Sequence, residues 1–479
     1  MIISVNNTKS GFYFLLFGLL VNSAFGIRAL FAETILPAKP NILVIVADDL
    51  GYNDVGFNGL TQYKTPHLDK LASDGTICRS GYASHAFCGP TRAGLMTGRY
   101  QGRFGFEGNP KRGSTTEGLP PEEETIADIL STAGYHTTAL GKWHLGEGKM
   151  HHPLERGFQS FFGFLEGSRS YYKTNDLKWL EQNAEGERTE RKASPKSRSD
   201  YITDYLTDEA IEFIEANHEE PFFMYLAYNA PHGPLQATGK WMAKVSKIEN
   251  KRRQTYAAMV VAMDDGIGKV RQALKDQGIE RETLIFFFSD NGGIPPANEA
   301  DNTPLSGMKG TLMEGGIRVP YVVTWPGVIP AGQEYPHPVM SFDAFATSVA
   351  VADAKPTRKD IQLDSVDLIP YLTGKIDQPP HEMLYWRTGL GFQLAIRQGK
   401  FKYFHVHGVS DRLFNLNRDV SESKSLSTRQ EDRFNQLKQK AETWSKELPP
   451  QHFTGHGLKL EEQWRSVGLE EAPDTELNP

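Results

Sequence analysis

Three short apolar runs in this chain each stop at a polar cluster, and that recurrence constrains the fold more than any other feature. Residues 41–47 (NILVIVA) end at Asp48-Asp49. Residues 222–226 (FFMYL) lead into Tyr228-Asn229-Ala230-Pro231-His232. Residues 283–288 (TLIFFF) end at Ser289-Asp290-Asn291-Gly292-Gly293. A run that is apolar at nearly every residue suits a strand buried on both faces, the habit of parallel sheets covered by helices. Polar side chains just past the C-terminal ends of such strands stand where open α/β sheets place their sites.

The segments between these runs fit that frame. Residues 66–75 start with Pro and stop with Gly, which predicts a short helix. Helices are also predicted over 123–133, 204–217 and 252–275, and strands over 135–140 and 319–325. The alternation predicts a mainly parallel α/β domain over 38–380. Short strand signals at 382–386, 392–397 and 402–405, then a helix within 428–447, predict a small C-terminal α+β domain over 381–470 built on an antiparallel sheet. Residues 471–479 read as a loose tail, and the polar stretch 183–199 as an exposed loop near the substrate entrance.

The N-terminus reads as an export signal over residues 1–32. Lys9 precedes the apolar run 11–21, which is too short for a confident span, and small residues at Ala24, Gly26 and Ala32 allow cleavage after 26 or 32. The competing reading is an uncleaved membrane anchor. The expected mature protein is soluble, periplasmic or secreted. A net charge of −7 and a pI near 6.1 give no reason to expect nucleic acid as a partner. The sequence carries no signal for an oligomeric state. Only Cys78 and Cys88 are present, and Cys78 is expected to be free and buried.

Candidate chemistry gathers around Cys88. In Cys88-Gly89-Pro90-Thr91-Arg92-Ala93-Gly94-Leu95-Met96-Thr97-Gly98, Pro90 favours a helix start and Ala93 and Gly94 allow close packing. Cys88 would then sit at a helix N-terminus, which favours negative charge, with the permanent cation of Arg92 nearby. Asp48, Asp49, Asp290 and Asn291 offer three carboxylates and an amide oxygen. Such a set suits a hard divalent cation, calcium or magnesium, and is costly to bury without one. No tight His/Cys cluster argues for zinc. Lys142 and His144 follow one strand signal, His232 follows another, and Lys309 lies in Gly307-Met308-Lys309-Gly310.

The continuous stretch 88–98 resembles the signature of the formylglycine-dependent (type I) sulfatases, with Thr91 where Ser is common. Residues 141–146 (GKWHLG), 230–234 (APHGP), 307–310 (GMKG) and 314–320 (EGGIRVP) resemble further elements of that family. The resemblance covers most of 38–430 and is nearest to arylsulfatases and the N-acetylgalactosamine-6-sulfatase branch. It implies an alkaline-phosphatase-like fold. It also implies that a maturation enzyme converts Cys88 to Cα-formylglycine, whose hydrate offers one hydroxyl to attack sulfur and another to release sulfate. By the same resemblance Asp48, Asp49, Asp290 and Asn291 hold one calcium ion (magnesium as the alternative), with an oxygen of modified Cys88 or of the sulfate completing the shell. Lys142 supports the hydrate and His144 takes its proton. His232 protonates the leaving oxygen with Lys309 as a clamp, and Glu314 and Arg318 form a supporting ion pair.

The substrate this implies is a sulfated polysaccharide or oligosaccharide, such as a carrageenan or a glycosaminoglycan. Arg99, Arg103, Arg169, Tyr172, Trp386, Arg387 and His405 are the candidate contacts, because arginines read neighbouring anions bidentately. Competing readings are a phosphomonoester or phosphodiester hydrolase on the same scaffold and a non-catalytic carbohydrate-binding descendant. A cysteine hydrolase lacks its usual sequence context.

Overall fold

The computed structural model describes residues 39–183, 185–192 and 199–453. The signal-like segment 1–32, the tail 471–479 and part of the 183–199 stretch lie outside the described residues. The strands are β1 (Asn41–Ala47), β2 (Thr76–Cys78), β3 (Gly81–Tyr82), β4 (His136–Lys142), β5 (Ser160–Phe164), β6 (Trp179–Gln182), β7 (Arg188–Arg191) and β8 (Phe222–Ala227). They continue with β9 (Thr283–Ser289), β10 (Tyr321–Thr324), β11 (Gln333–Tyr335), β12 (Val339–Met340), β13 (Leu384–Thr388), β14 (Gln393–Gln398), β15 (Phe401–Val406) and β16 (Ser410–Asn415).

Ten of them form one sheet in the order β11-β2-β10-β9-β1-β8-β4-β5-β6-β7. The three apolar runs are its centre: β1 lies between β8 and β9 and is parallel to both. Parallel pairing continues through β8, β4 and β5, while β10 and the β6–β7 hairpin run antiparallel toward the edges. This is the α/β fold of alkaline phosphatases and sulfatases. Register puts the chemistry on one rim. Ala47 lies opposite Ser289, the N–H of Asp290 donates to Ala47 O, and that of Asp48 to Ala230 O.

Side-chain alternation along these strands feeds two cores. Leu43, Ile45, Met224, Leu226, Ile285 and Phe287 pack with the helices Ile202–Asn217 and Lys251–Asp276. Ile42, Val44, Val46, Phe223, Tyr225, Phe286 and Phe288 pack on the other face with Cys88–Thr97, Ile126–Thr132 and Asp343–Val351. Each large side chain so enclosed contributes about 1.5–3 kcal/mol of burial. Asn250 caps the long helix by accepting from the N–H groups of Arg252 and Arg253, and Thr125 and Asp128 form a capping box on Ile126–Thr132. No helix among the described residues is long and apolar enough to cross a membrane.

The second sheet is antiparallel, β13-β14-β15-β16. One face takes the helix Glu431–Glu447, through Leu437 and Ala441 against Ile396, Tyr403 and Leu413. Its other face, with Trp386, Ala395, Phe404 and Phe414, shares a core with Tyr82, Leu312, Met313, Ile317 and Met340.

The 183–199 stretch departs from expectation. Arg188–Arg191 pairs with Trp179–Gln182 as an edge hairpin. The hairpin's turn starts beside Gln159, to whose carbonyl Gln182 N donates. That is the end of the sheet opposite Asp48 and Asp290. Polar cross-strand pairing, absent from any apolar pattern, holds this hairpin.

Candidate active site

Cys88 is the first residue of its helix and is 1% exposed. Phe87 enters in extended conformation, and the helix stops at Gly98, whose φ of +67° suits a residue without Cβ. Arg92, one turn on, points back under the site. Its Nη2 and Nε donate to Asp290 Oδ2 at 2.7 and 3.0 Å, and its Nη1 donates to Lys142 O at 2.9 Å and Tyr225 Oη at 3.0 Å.

The strand ends bring the other groups in. Lys142, the last residue of β4, donates from Nζ to Asp48 Oδ2 at 2.5 Å. Lys309 Nζ stands 2.5 Å from Asp49 Oδ1 and 2.8 Å from Cys88 Sγ. His232 Nε2 lies 3.6 Å from Asp49 Oδ2. Asn291 Nδ2 donates to Asp49 Oδ1 at 2.7 Å, and Asp49 N to Asp290 Oδ1 at 3.3 Å. Asp49 (φ 62°) and His144 (φ 58°) both adopt the left-handed region, a strained conformation that tends to collect at functional sites. His144 fits a cradle against Gly167, where a Cβ would come within 2.5 Å of its Nε2.

The residues present fit a divalent cation. One ligand atom each from Asp48, Asp49, Cys88 and His232 lies within 4.8 Å of the others. Asp48 Oδ1 and Asn291 Oδ1 are buried without a hydrogen-bond partner, the arrangement expected of oxygens reserved for a metal. The expected ligand set did not include His232, which joins this group; Asp290 abuts it with one oxygen committed to Arg92.

Electrostatics sorts the groups. Burial raises the Asp48 pKa, but Lys142, His232, Arg92 and Lys309 together outweigh it and hold the carboxyl well below its usual range. Asp290 goes the other way, to about 6, through burial and the charge of Asp48. Burial pushes the Cys88 thiol up to about 12 against the pull of Lys142 and Lys309, unlike the depressed values of thiolate nucleophiles. His144 is pulled well below its ordinary value by burial, then by Lys142 and Arg92. Burial lowers His232 as well, against the charges of Asp48 and Asp49.

The expected substrate contacts fare differently. Trp386 (1% exposed) and Arg387 (4%) are enclosed. Trp386 Nε1 donates to Ala83 O, and Arg387 donates to Glu107 and to the carbonyls of Ser445 and Pro449. In this structure their surfaces are spent on packing the small sheet and on partners within the chain. Arg99 pairs with Glu123, Arg103 with Asp364 and His405 with Asp411. Arg169 pairs with Asp176. Tyr172 is half-exposed beside Tyr201, and the neighbouring Tyr171 donates from Oη to His232 O at 2.9 Å.

Lys111 and Arg112 were not among the residues singled out from the sequence. Both are exposed, on a loop whose Asn109 Oδ1 accepts from Gly89 N at 2.9 Å. The adjacent acids are turned to backbone groups: Glu117 accepts from Lys111 N and Glu147 from Gly113 N.

A carboxylate-lined pocket with a helix-borne cysteine and two lysines defines a class, and comparison with known proteins supplies it. The chain belongs to the sulfatase family, whose model matches residues 40–354; it is a formylglycine-dependent sulfatase, a sulfuric ester hydrolase. It is 34% identical to mouse N-acetylgalactosamine-6-sulfatase over 402 residues, covering 80% of this chain and 74% of that protein. It is 35% identical to mouse arylsulfatase J over 360 residues, covering 74% and 59%. Among solved structures, Ps i-CgsB in complex with k-i-k-neocarrahexaose is 38% identical, with a TM-score of 0.80 over 90% of this chain and 98% of that one.

Proposed function

We propose that this sulfatase removes sulfate from a sulfated polysaccharide or oligosaccharide outside the cytoplasm. The observation that carries the chemistry is the convergence of Asp48, Asp49, Cys88 and His232 within 4.8 Å, with Lys309 against Cys88. The substrate class draws on the similarity to a protein solved with neocarrahexaose. It draws also on the exposed Lys111-Arg112 pair beside Gly89, which suits a ligand carrying further anionic groups.

Asp48, Asp49, Asp290 and Asn291 would hold calcium, or magnesium in its place, with the residue at 88 at its edge. Such a cation polarises sulfate oxygens and offsets their charge. Formylglycine derived from Cys88 supplies, as its hydrate, the oxygen that takes up the sulfuryl group. The chain's own residues do the rest. Lys142 and Lys309 keep positive charge on either side of that oxygen. Arg92 holds Asp290 in place through two hydrogen bonds. His232, at the less buried side of the site, gives a proton to the departing sugar oxygen while Lys309 steadies the developing charge. His144 would accept a proton at residue 88 as sulfate leaves.

Assay of the mature enzyme against defined sulfated oligosaccharides and a small aryl sulfate tests this reading. Release of inorganic sulfate from the oligosaccharides, at kcat/KM above that for the aryl ester, supports it. Turnover of the aryl ester alone overturns the substrate class.

A further inference from the structure

The small C-terminal sheet reaches into the loop that carries Lys309. Gln393, the first residue of β14, is wholly buried. Its Oε1 accepts from Leu312 N at 2.9 Å, and its Nε2 donates to Gly310 O at 2.8 Å. One planar amide thus satisfies two backbone groups that flank Thr311, directly after Lys309. The same loop is tied on its other side to the nucleophile segment, since Gly310 N donates to Ala86 O at 2.9 Å and Lys309 N to Gly293 O at 3.2 Å.

A second hold comes from the same sheet. Lys402 of β15 is wholly buried between two carboxylates, 2.9 Å from Glu314 Oε1 and 2.8 Å from Glu422 Oε1. Glu422 Oε2 in turn accepts from Glu314 N at 2.6 Å, and Ser306 Oγ donates to Ser421 O at 2.5 Å. Arg318 Nη1 stands 3.4 Å from Glu314 Oε2, the supporting pair the sequence suggested. The loop from Ser306 to Glu314 is therefore held at its ends by β15 and the segment after β16, and in its middle by β14.

We propose that Gln393 is a positioning residue that sets where Lys309 Nζ stands relative to residue 88. The proposal rests on the reading of Lys309 as a cation acting on the sulfate ester. Only a neutral amide supplies a donor and an acceptor in one plane here; an ionised Glu offers no donor and Leu offers neither. Lys309 has to reach Asp49 and residue 88 at once, so a small drift of its loop removes one contact. Misplacement by about 1 Å costs on the order of 10²-fold in rate.

The test uses full-length mature enzyme with conversion at residue 88 verified by mass spectrometry. Wild type, Gln393→Leu, Gln393→Glu, Lys309→Ala and the Gln393→Leu/Lys309→Ala double variant are compared on aryl sulfates of graded leaving-group pKa. Gln393→Leu is expected to lower kcat by about 10- to 100-fold on the poorest leaving groups. The loss on the best should be much smaller, with KM little changed and Gln393→Glu falling between. In the Lys309→Ala background Gln393→Leu should add almost nothing, because the two act through one contact. Equal losses on every substrate, or full additivity with Lys309→Ala, overturn the proposal while leaving Lys309 its role. An unchanged kcat for Lys309→Ala overturns the reading of Lys309 and this proposal with it. Should Gln393→Leu not fold, Gln393→Glu and its double variant with Lys309→Ala are read in the same way.

Discussion

Lys309 Nζ stands 2.8 Å from Cys88 Sγ, although 221 residues separate them in the chain. Burial raises the pKa of that thiol to about 12, and under the function proposed above the cation would serve the oxygen that maturation puts in its place. Cys88→Ala is expected to lose turnover by on the order of 10³-fold or more while keeping its fold. Lys309→Ala should lose roughly 10²–10³-fold, the range for removing one donor at a developing charge. Steady-state kinetics and the mass of the peptide containing residue 88 check both. Active enzyme that retains an ordinary thiol there would refute the chemistry.

Asp48 Oδ1 and Asn291 Oδ1 are buried and unpartnered, so metal binding should depend on both. Asp48→Asn and Asn291→Ala are each expected to weaken calcium affinity by at least the ~10–100-fold seen for supporting residues at metal sites. Titration calorimetry on chelator-stripped protein measures this. Calcium at about 100 times its Kd should also stabilise the wild type by about 2.7 kcal/mol, seen as a higher Tm. Affinity and Tm that ignore these substitutions would remove the two residues from the metal shell.

Lys111 and Arg112 are exposed on the loop whose Asn109 accepts from Gly89 N at the start of the nucleophile helix. Replacing both with Ala should raise KM several-fold for an oligosaccharide with two or more sulfates. A mono-sulfated aryl ester should be unaffected, because it presents no second anion to the pair. A parallel loss on both substrates would make the loop structural instead.

The centre of the sheet was legible because β1, β8 and β9 are buried on both faces and their composition shows it. The grouping of the candidate residues was legible for a related reason: Asp48, His232 and Asp290 follow central strands and Lys142 ends one, so locating the strands located the groups. The edges were not. Thr76–Cys78 and Gln333–Tyr335 are three-residue strands defined by their partners, and Arg188–Arg191 is wholly exposed. The burial of Arg387 was not legible either, because its partner Glu107 lies 280 residues away. No local pattern separates such an arginine from one that faces a ligand.

The last prediction concerns stability near the start of the small sheet. His381 Nε2 lies 2.8 Å from Asp343 Oδ2, and both side chains are buried. Burial alone lowers the His381 pKa, but the charge and hydrogen bond of Asp343 outweigh it and raise the pKa above its ordinary 6.5. A group with a raised folded pKa stabilises fully below its unfolded value and loses that contribution as pH climbs through the folded one. His381→Gln is therefore expected to cost about 2 kcal/mol in acid, the scale of a buried hydrogen bond to a charged group. The cost should shrink steadily in alkaline solution, because neutral His381 then offers little that Gln does not. Paired Tm measurements of wild type and variant across the pH range decide it. A gap that stays constant with pH, or widens as pH rises, would mean that the proton on His381 does not contribute to holding Asp343.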